Sequence, residues 1–447
     1  MAKSRHYRTE EKKNNNRRVR EVIIRQRTGS DYYDEHSEDT SPERINVYAD
    51  EDTDYDDFDG NYGNRRRYNR EERKKRKRRR LIVIFSCVAL ALVISLAATK
   101  GQTFSILYSK FKVALVGTGT GDGFPVEITG NNVSSRGFAV TDYGCVTLSD
   151  TALTAVNSTG KNIFTVRHSF SSPMMSERNG SFIIYDCGSY AYTLVDSSGN
   201  YEKRTSDYKI ISADIAENGN YVLVTIPDDY ASQAEVYDSD GNLKYTYKFA
   251  EDYASAAAIN PEGNMCAVSV LYTRNAELYS RVVILSIKSE AAEAEYIYKG
   301  CMVTDVFWKG SSIYCIGDEG LLAGTSDGYF YEYSFAGKNI TAVYCDDDRC
   351  FVSVSSYTHG GDSDLLVFSG ANEPLDIYSE ERITSITSSG SLVSCLAGEM
   401  ISCYSASSGD LKSTADTGYD SRAVAQADSS TVYVLGAQEI RSAVLVD

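Results

Sequence analysis

From about residue 130 onward, short runs of Val, Ile, Tyr, Phe and Thr alternate with clusters of Gly, Asn, Asp and Ser. Such runs, bounded by turn formers, read as β-strands. No stretch holds a helical period; the one candidate, residues 290–295, is too short to matter. The turn formers recur in two series. The first is Tyr143-Gly144, Asn179-Gly180, Asn218-Gly219, Glu262-Gly263, Lys309-Gly310, Asp347-Asp348, Ser389-Gly390 and Ser429-Ser430, in steps of 36 to 47 residues. The second falls between these, at Gly160, Gly199, Gly241, near Lys288, and at Gly328, Gly370 and Gly409. Asn, Asp and Gly suit hairpin turns that require positive φ.

Two hairpin turns in each repeat imply four strands per repeat, and radially repeated four-stranded sheets are the blades of a β-propeller. The expected fold is therefore all-β, an eight-bladed propeller, or a seven-bladed one if a turn pair is miscounted. The first series would join strands A and B of each blade, the second strands C and D. Eight turns of the first kind against seven of the second leave the last blade, ending at residues 443–447, one strand short. Phe124-Pro-Val-Glu-Ile128 is placed to supply that strand and to close the ring without an open sheet edge. Pro125 cannot donate to a ladder, which suits an outermost strand. In this arrangement the A–B and C–D turns share one face, and the B–C and D–A loops the other. The closing strand starts on the hairpin-turn face, so the preceding chain should arrive there.

Upstream the pattern changes abruptly. Residues 81–98 carry no charge of either sign, while the block from Arg65 to Arg80 holds 12 basic residues. Eighteen apolar residues give about 27 Å of helix, the depth of a bilayer's hydrocarbon core. The basic block lies on the N-terminal side, so the positive-inside rule predicts a single transmembrane helix with the N-terminus cytoplasmic. An 80-residue charged leader is too long for a signal peptide. The expected organisation is a disordered charged tail over 1–80, a span over 81–98, a linker over 99–123 and an extracytoplasmic propeller over 124–447. The expected location is thus the cell membrane, with the basic block meeting anionic lipid headgroups.

Charge sharpens this division. Residues 1–80 carry 23 basic and 18 acidic side chains, and the remainder 23 and 44. An acidic outer domain argues against nucleic acid as its ligand. Within the tail, residues 31–60 hold 13 acidic side chains and one basic, a candidate docking segment for a partner inside the cell.

Several motifs resemble catalytic or ligand sites without their context. The glycine run over 113–123 lacks the helix that makes such loops bind phosphate, since strand sequence follows it; it reads as flexible linker. Gly324-Thr-Ser326-Asp-Gly328 matches a nucleophile elbow in letters but falls at a C–D turn. Asp346-Asp-Asp348 reads as a solvated turn and not a Ca²⁺ loop. Nine cysteines follow Cys87. Cys345 and Cys350 flank one hairpin turn and Cys395 and Cys403 another, so either pair could bridge neighbouring strands if the geometry allows. Neither has metal-site spacing. No catalytic, cofactor-binding or metal-binding residues are expected, and no cofactor.

Loop length is the most suggestive feature. By the repeat register, blades three, four and six have long B–C loops at 227–233, 272–280 and 357–364, against two to four residues elsewhere. They carry Asp228, Asp229, Tyr230, Tyr272, Arg274, Tyr279, Tyr357, His359 and Asp362. Loops on rigid scaffolds commonly bind, and Tyr and Arg favour interfaces. These nine residues form the candidate contact surface.

The order of basic tail, single span, GDGFPVEITG closing strand and blades such as IISADIAENGNYVLVTIPDDYASQAEVYDSDGNLKYTYKF resembles a family of single-pass, membrane-anchored propellers from clostridia-like Gram-positive bacteria. That family is of unknown function, with a quinoprotein-like or WD40-like fold. The resemblance covers residues 81–447 and is most specific over 124–260. It implies an extracytoplasmic propeller and supplies no activity. Quinoprotein enzymes use several docking tryptophans and an adjacent Cys pair; this chain has Trp308 alone and no such pair. The expected function is a non-enzymatic platform for an envelope protein or wall component. Two alternatives are an envelope enzyme with a quinone or metal, and a single-span sensor acting through its tail.

Overall fold

Eight antiparallel four-stranded sheets follow one another around a ring in the computed structural model, which describes residues 9–14, 17–22 and 118–446. Blade 1 comprises Phe138–Thr141 (A), Gly144–Leu148 (B), Ala152–Asn157 (C) and Asn162–Arg167 (D). Six further blades repeat the meander from Pro173 to Asp416. Blade 8 takes Ala423–Gln426, Thr431–Leu435 and Glu439–Val444 from the C-terminal end, and its fourth strand, Val126–Glu127, from the N-terminal side. The count of eight and the N-terminal closure agree with the turn series, and the seven-bladed alternative falls.

Alternation within each strand explains why the middle strands are almost wholly apolar. Successive side chains point to opposite faces, and in a propeller both faces of a blade are covered. In blade 3, Tyr221 and Leu223 pack toward blade 2, while Val222 and Val224 pack toward blade 4. The same division runs around the ring, giving eight hydrophobic clusters, one between each pair of neighbours. Outer D strands such as Tyr201–Thr205 (YEKRT) are charged and largely exposed, which protects their free edges from pairing with other chains.

The inner A strands carry a second repeat. In blades 3 to 7 the A–B register slips by one residue at Ile211, Ser255, Thr304, Thr341 and Thr384. Each is a β-bulge. At four of the five the extra residue is Ser or Thr, and its hydroxyl donates to a strand-B carbonyl: Ser269, Ile316, Ser353 and Leu396 respectively.

Closure is made by more than the two ladder pairs Val126–Ile440 and Glu127–Glu439. Phe124 packs on Tyr433 with ring centroids 5.3 Å apart, and Val126 and Ile128 join the cluster between blades 8 and 1. Ahead of them, residues 118–123 lie along the C–D turn of blade 1. The Gly123 N–H donates to the Thr159 carbonyl (3.0 Å), the Gly121 N–H to Thr159 Oγ1 (2.9 Å), and Asn157 Nδ2 to the Gly119 carbonyl (2.9 Å). A Cβ on Gly121 would stand 2.3 Å from the Lys161 backbone nitrogen, so the glycine permits the close approach. The end of the expected linker is therefore a clasp, hydrogen-bonded to the blade 1 turn, with Gly121 set directly against its backbone. The chain does arrive on the hairpin-turn face.

Within the expected tail, Thr9–Asn14 and Arg17–Val22 pair as an antiparallel hairpin, with Glu11 opposite Arg20. The span expected over 81–98 lies outside the described residues. Among the described residues no helix is long and apolar enough to cross a membrane.

Candidate functional site: the loop face and the channel mouth

The face opposite the clasp collects the B–C and D–A connections. In blade 3 the B–C loop runs over 227–231, between Tyr221–Ile226 and Ser232–Tyr237. Asp228, Asp229 and Tyr230 are exposed there, with Lys248 Nζ 4.6 Å from the Tyr230 ring centroid. In blade 6 the loop runs over 356–362, between Cys350–Ser355 and Ser363–Phe368. Tyr357 and His359 are exposed and Asp362 is half-buried. Gly361, at φ 77°, passes so close to the Tyr357 ring that a Cβ would lie 2.3 Å from it. Arg382 Nη1 donates to the Tyr357 carbonyl at 2.6 Å, fixing the loop from the next connection.

Blade 4 corrects the expected third loop. Residues 272–280 continue the ladder: Met265–Arg274 and Glu277–Ser286 are ten residues each, joined by Asn275-Ala276 alone. Both turn residues have positive φ, 55° and 62°, the geometry of a tight two-residue hairpin turn. Tyr272 and Tyr279 are cross-strand partners stacked at 5.3 Å. Tyr279 Oη donates to Glu277, which also pairs with Lys299 at 2.9 Å. The Lys299 ammonium and the Tyr279 hydroxyl hold the Glu277 carboxyl below its usual pKa. Arg274 is exposed at the tip. A stiff ribbon thus stands where a loop was expected.

The nine predicted residues share a face without forming one constellation. Among the described residues no hydrogen bond, ion pair or ring contact links the three groups, and blade 5 stands between the second and third with the short connection Asp318-Glu319. Sequence reasoning missed exposed aromatics in other connections of this face. Tyr190 follows strand B of blade 2, Tyr253 opens strand A of blade 4, and Tyr378 nears the end of strand D in blade 6. Tyr419, 92% exposed, lies in the D–A segment between blades 7 and 8. Only for Tyr419 was a signal available, in the polar stretch TGYDS.

The centre of the face was also missed. Ser135–Gly137 forms one 3₁₀ turn, capped by Ser134 Oγ accepting the Gly137 N–H. From it, Arg136 donates through Nη1 and Nη2 to the two carboxylate oxygens of Asp305, at 2.7 and 3.0 Å. Arg136 precedes blade 1 and Asp305 lies on strand A of blade 5, Val303–Lys309. Those blades are opposite in a ring of eight, so the bidentate pair crosses the channel mouth. A second arginine crosses nearer the hairpin-turn face, where Arg178 of blade 2 donates to the Trp308 carbonyl of blade 5 at 3.1 Å.

Beside Arg178, Glu177 accepts the Gly180 N–H at 2.8 Å. Burial raises its carboxyl pKa, outweighing that hydrogen bond and the Lys309 and Arg178 charges, which lower it. A raised carboxyl pKa means the folded state binds the proton more tightly. Its stabilising share is present at low pH and lost as pH rises through the folded value. Glu177→Gln is therefore expected to raise the melting temperature at pH 7 and to do so less at pH 4. An equal change at both values would overturn this assignment.

The motifs resembling active sites resolve into turns. Ser326 sits between Gly320–Thr325 and Phe330–Ser334, with no helix following. Asp346 already accepts the Asp348 and Arg349 N–H groups, Arg349 Nη2 and Ser388 Oγ, which saturates it with protein donors. Among the described residues no three His, Cys, Asp or Glu side chains converge as metal ligands.

Residues 126–445 match the model of a family described as a family of unknown function, DUF5711. This chain is a member of DUF5711. No curated protein matches its sequence. Among solved structures, the DUF5711 propeller is similar to Sqt1 from Saccharomyces cerevisiae, with TM-score 0.50 and 10% identity over 72% of this chain and 100% of that one. A computationally designed protein, Ika8, gives TM-score 0.48 and 13% identity over 73% and 98%. BamB from Moraxella catarrhalis gives 0.43 and 10% over 72% and 100%. At such identities the likeness concerns the fold alone.

Proposed function

We propose that this DUF5711 propeller is a binding platform for an envelope protein, held outside the cell on a single span and performing no chemistry itself. The observation that carries this is the crowding of exposed tyrosines onto the loop face: Tyr190, Tyr230, Tyr253, Tyr357, Tyr378 and Tyr419. Tyrosine offers large, rigid contact area with a polar end, and is enriched at hot spots of protein interfaces. The clasp at residues 118–123 lies on the opposite face, so a tether arriving there leaves the tyrosines pointing away from the membrane. The acidic flanks, Asp228 and Asp229 among them, favour a partner with a basic surface and disfavour an anionic wall polymer. In the same reading, the block from Arg65 to Arg80 rests on anionic headgroups inside.

Crosslinking the full chain in its own membrane tests this. Wild type is compared with a variant whose 227–231 and 356–362 loops are cut to two-residue turns and whose Tyr419 is Ser. The variant should lose at least about tenfold in partner recovery, as removal of one or two hot spots does. Unchanged recovery would sink the assignment to this face. Protease added outside intact cells should remove the propeller; its protection would sink the topology.

A further inference from the structure

We propose that Cys345 and Cys350 form a disulfide that staples the A–B turn of blade 6, while Cys395 and Cys403, on either side of the B–C turn of blade 7, do not pair. The two arrangements differ in register. Cys345 and Cys350 are direct cross-strand partners between Asn339–Cys345 and Cys350–Ser355. The turn closes through the Asp346 N–H donating to the Arg349 carbonyl at 3.0 Å, which makes the next pair outward, Cys345 and Cys350, the non-hydrogen-bonded kind. In such pairs the Cα atoms stand about 4.5 Å apart with side chains close, inside the range a disulfide spans. Their sulfurs lie 2.6 Å apart. Cys395, by contrast, is opposite Ser402, and Cys403 opposite Ser394. A one-residue offset puts the thiols on opposite faces; Cys395 lies in the cluster between blades 6 and 7, Cys403 in that between blades 7 and 8.

The location also suits a staple. The turn between the two cysteines joins blades, with Ser388 Oγ donating to Asp346 at 2.7 Å and Arg349 donating to the Gly390 carbonyl. Both thiols are buried in the finished fold, so the bond must form while the chain folds. The thiolate of one cysteine attacks the disulfide of an extracytoplasmic thiol oxidoreductase, expelling one of its sulfurs as a thiolate. The second cysteine, as thiolate, then attacks the mixed disulfide and expels the other. Two protons leave the cysteines, and two electrons pass to the oxidoreductase disulfide, which is reduced to a dithiol. Formation in the cell rests on the extracytoplasmic placement proposed above, because the cytosol keeps thiols reduced.

Thiol counting on the full chain tests the pairing and the placement separately. The protein is denatured without reductant, alkylated and weighed, once as isolated from its own membrane and once after refolding with glutathione disulfide. The refolded chain should alkylate at eight of its ten cysteines, and a peptide map should show Cys345 joined to Cys350. Cys345→Ser should then alkylate at all nine remaining cysteines. Ten alkylated sites in refolded wild type, or any other pair joined, overturns the pairing. Eight sites in both samples support pairing and placement together. Eight after refolding but ten as isolated supports the pairing and counts against the placement.

Discussion

Deleting residues 1–128 should open the ring and cost about 5 kcal/mol, from burial lost by three apolar side chains at roughly 1.5–3 kcal/mol each. Those side chains are Phe124, Val126 and Ile128, which cover the cluster holding Cys145, Val156, Tyr433 and Ile440. The deletion also frees the outer edge of Glu439–Val444, a template for pairing with another chain. Two readouts should move together. The melting temperature falls, and the protein leaves the monomer position in size-exclusion chromatography. Deleting residues 1–117, which spares the clasp and the strand, should leave both where a propeller with intact closure has them. Equal melting of the two truncations would show that the strand from the N-terminal side is dispensable.

Trp308→Ala should cost about 3–5 kcal/mol, the range for removing a buried large aromatic. Trp308 is 3% exposed and packs in the layer between blades 4 and 5 with Ala256, Ala258, Ile313 and Cys315. Strand A of blade 4 is alanine-rich opposite this indole, Tyr253–Ile259 reading YASAAAI. Small residues there make the space that the indole fills, and they cannot swell to refill it. The cavity should therefore persist, so the urea midpoint drops while the slope stays unchanged. A loss under about 1 kcal/mol would mean that neighbouring blades slide together to close the gap.

The blade count and the closing strand were legible because each turn needs positive φ or a side-chain acceptor, and both leave letters in the sequence. Gly199 and Gly241 sit at φ 81° in turns whose Asp196 and Asp238 accept backbone N–H groups. The ribbon of blade 4 was misread for the same reason. Its turn, Asn275-Ala276, has no glycine, and the stacked Tyr272 and Tyr279 look like loop aromatics until their register is known. The A-strand bulges were hidden because Ser or Thr at one inner position signals a bulge only once the A–B pairing is fixed. Arg136 left no trace at all. Its partner Asp305 is 169 residues away, and only ring closure sets blade 1 opposite blade 5. The candidate surface was thus half visible: loops stand at 227–231 and 356–362, each ending two residues before its expected bound, while Tyr253, Tyr378 and the channel mouth emerge only from the folded ring.

The clasp has a mechanical consequence. The strand that shuts the ring is also the one through which any pull on the preceding chain enters the propeller. It runs from the hairpin-turn face toward the loop face, alongside Glu439–Val444. A load applied at Thr118 and directed away from the hairpin-turn face therefore acts along the strand axis. Its bonds to the neighbouring strand are sheared together and not peeled one after another. The contacts of Gly119, Gly121 and Gly123 with the blade 1 turn take the load first. Blade 1 thus shares tension with blade 8 before the seam is tested.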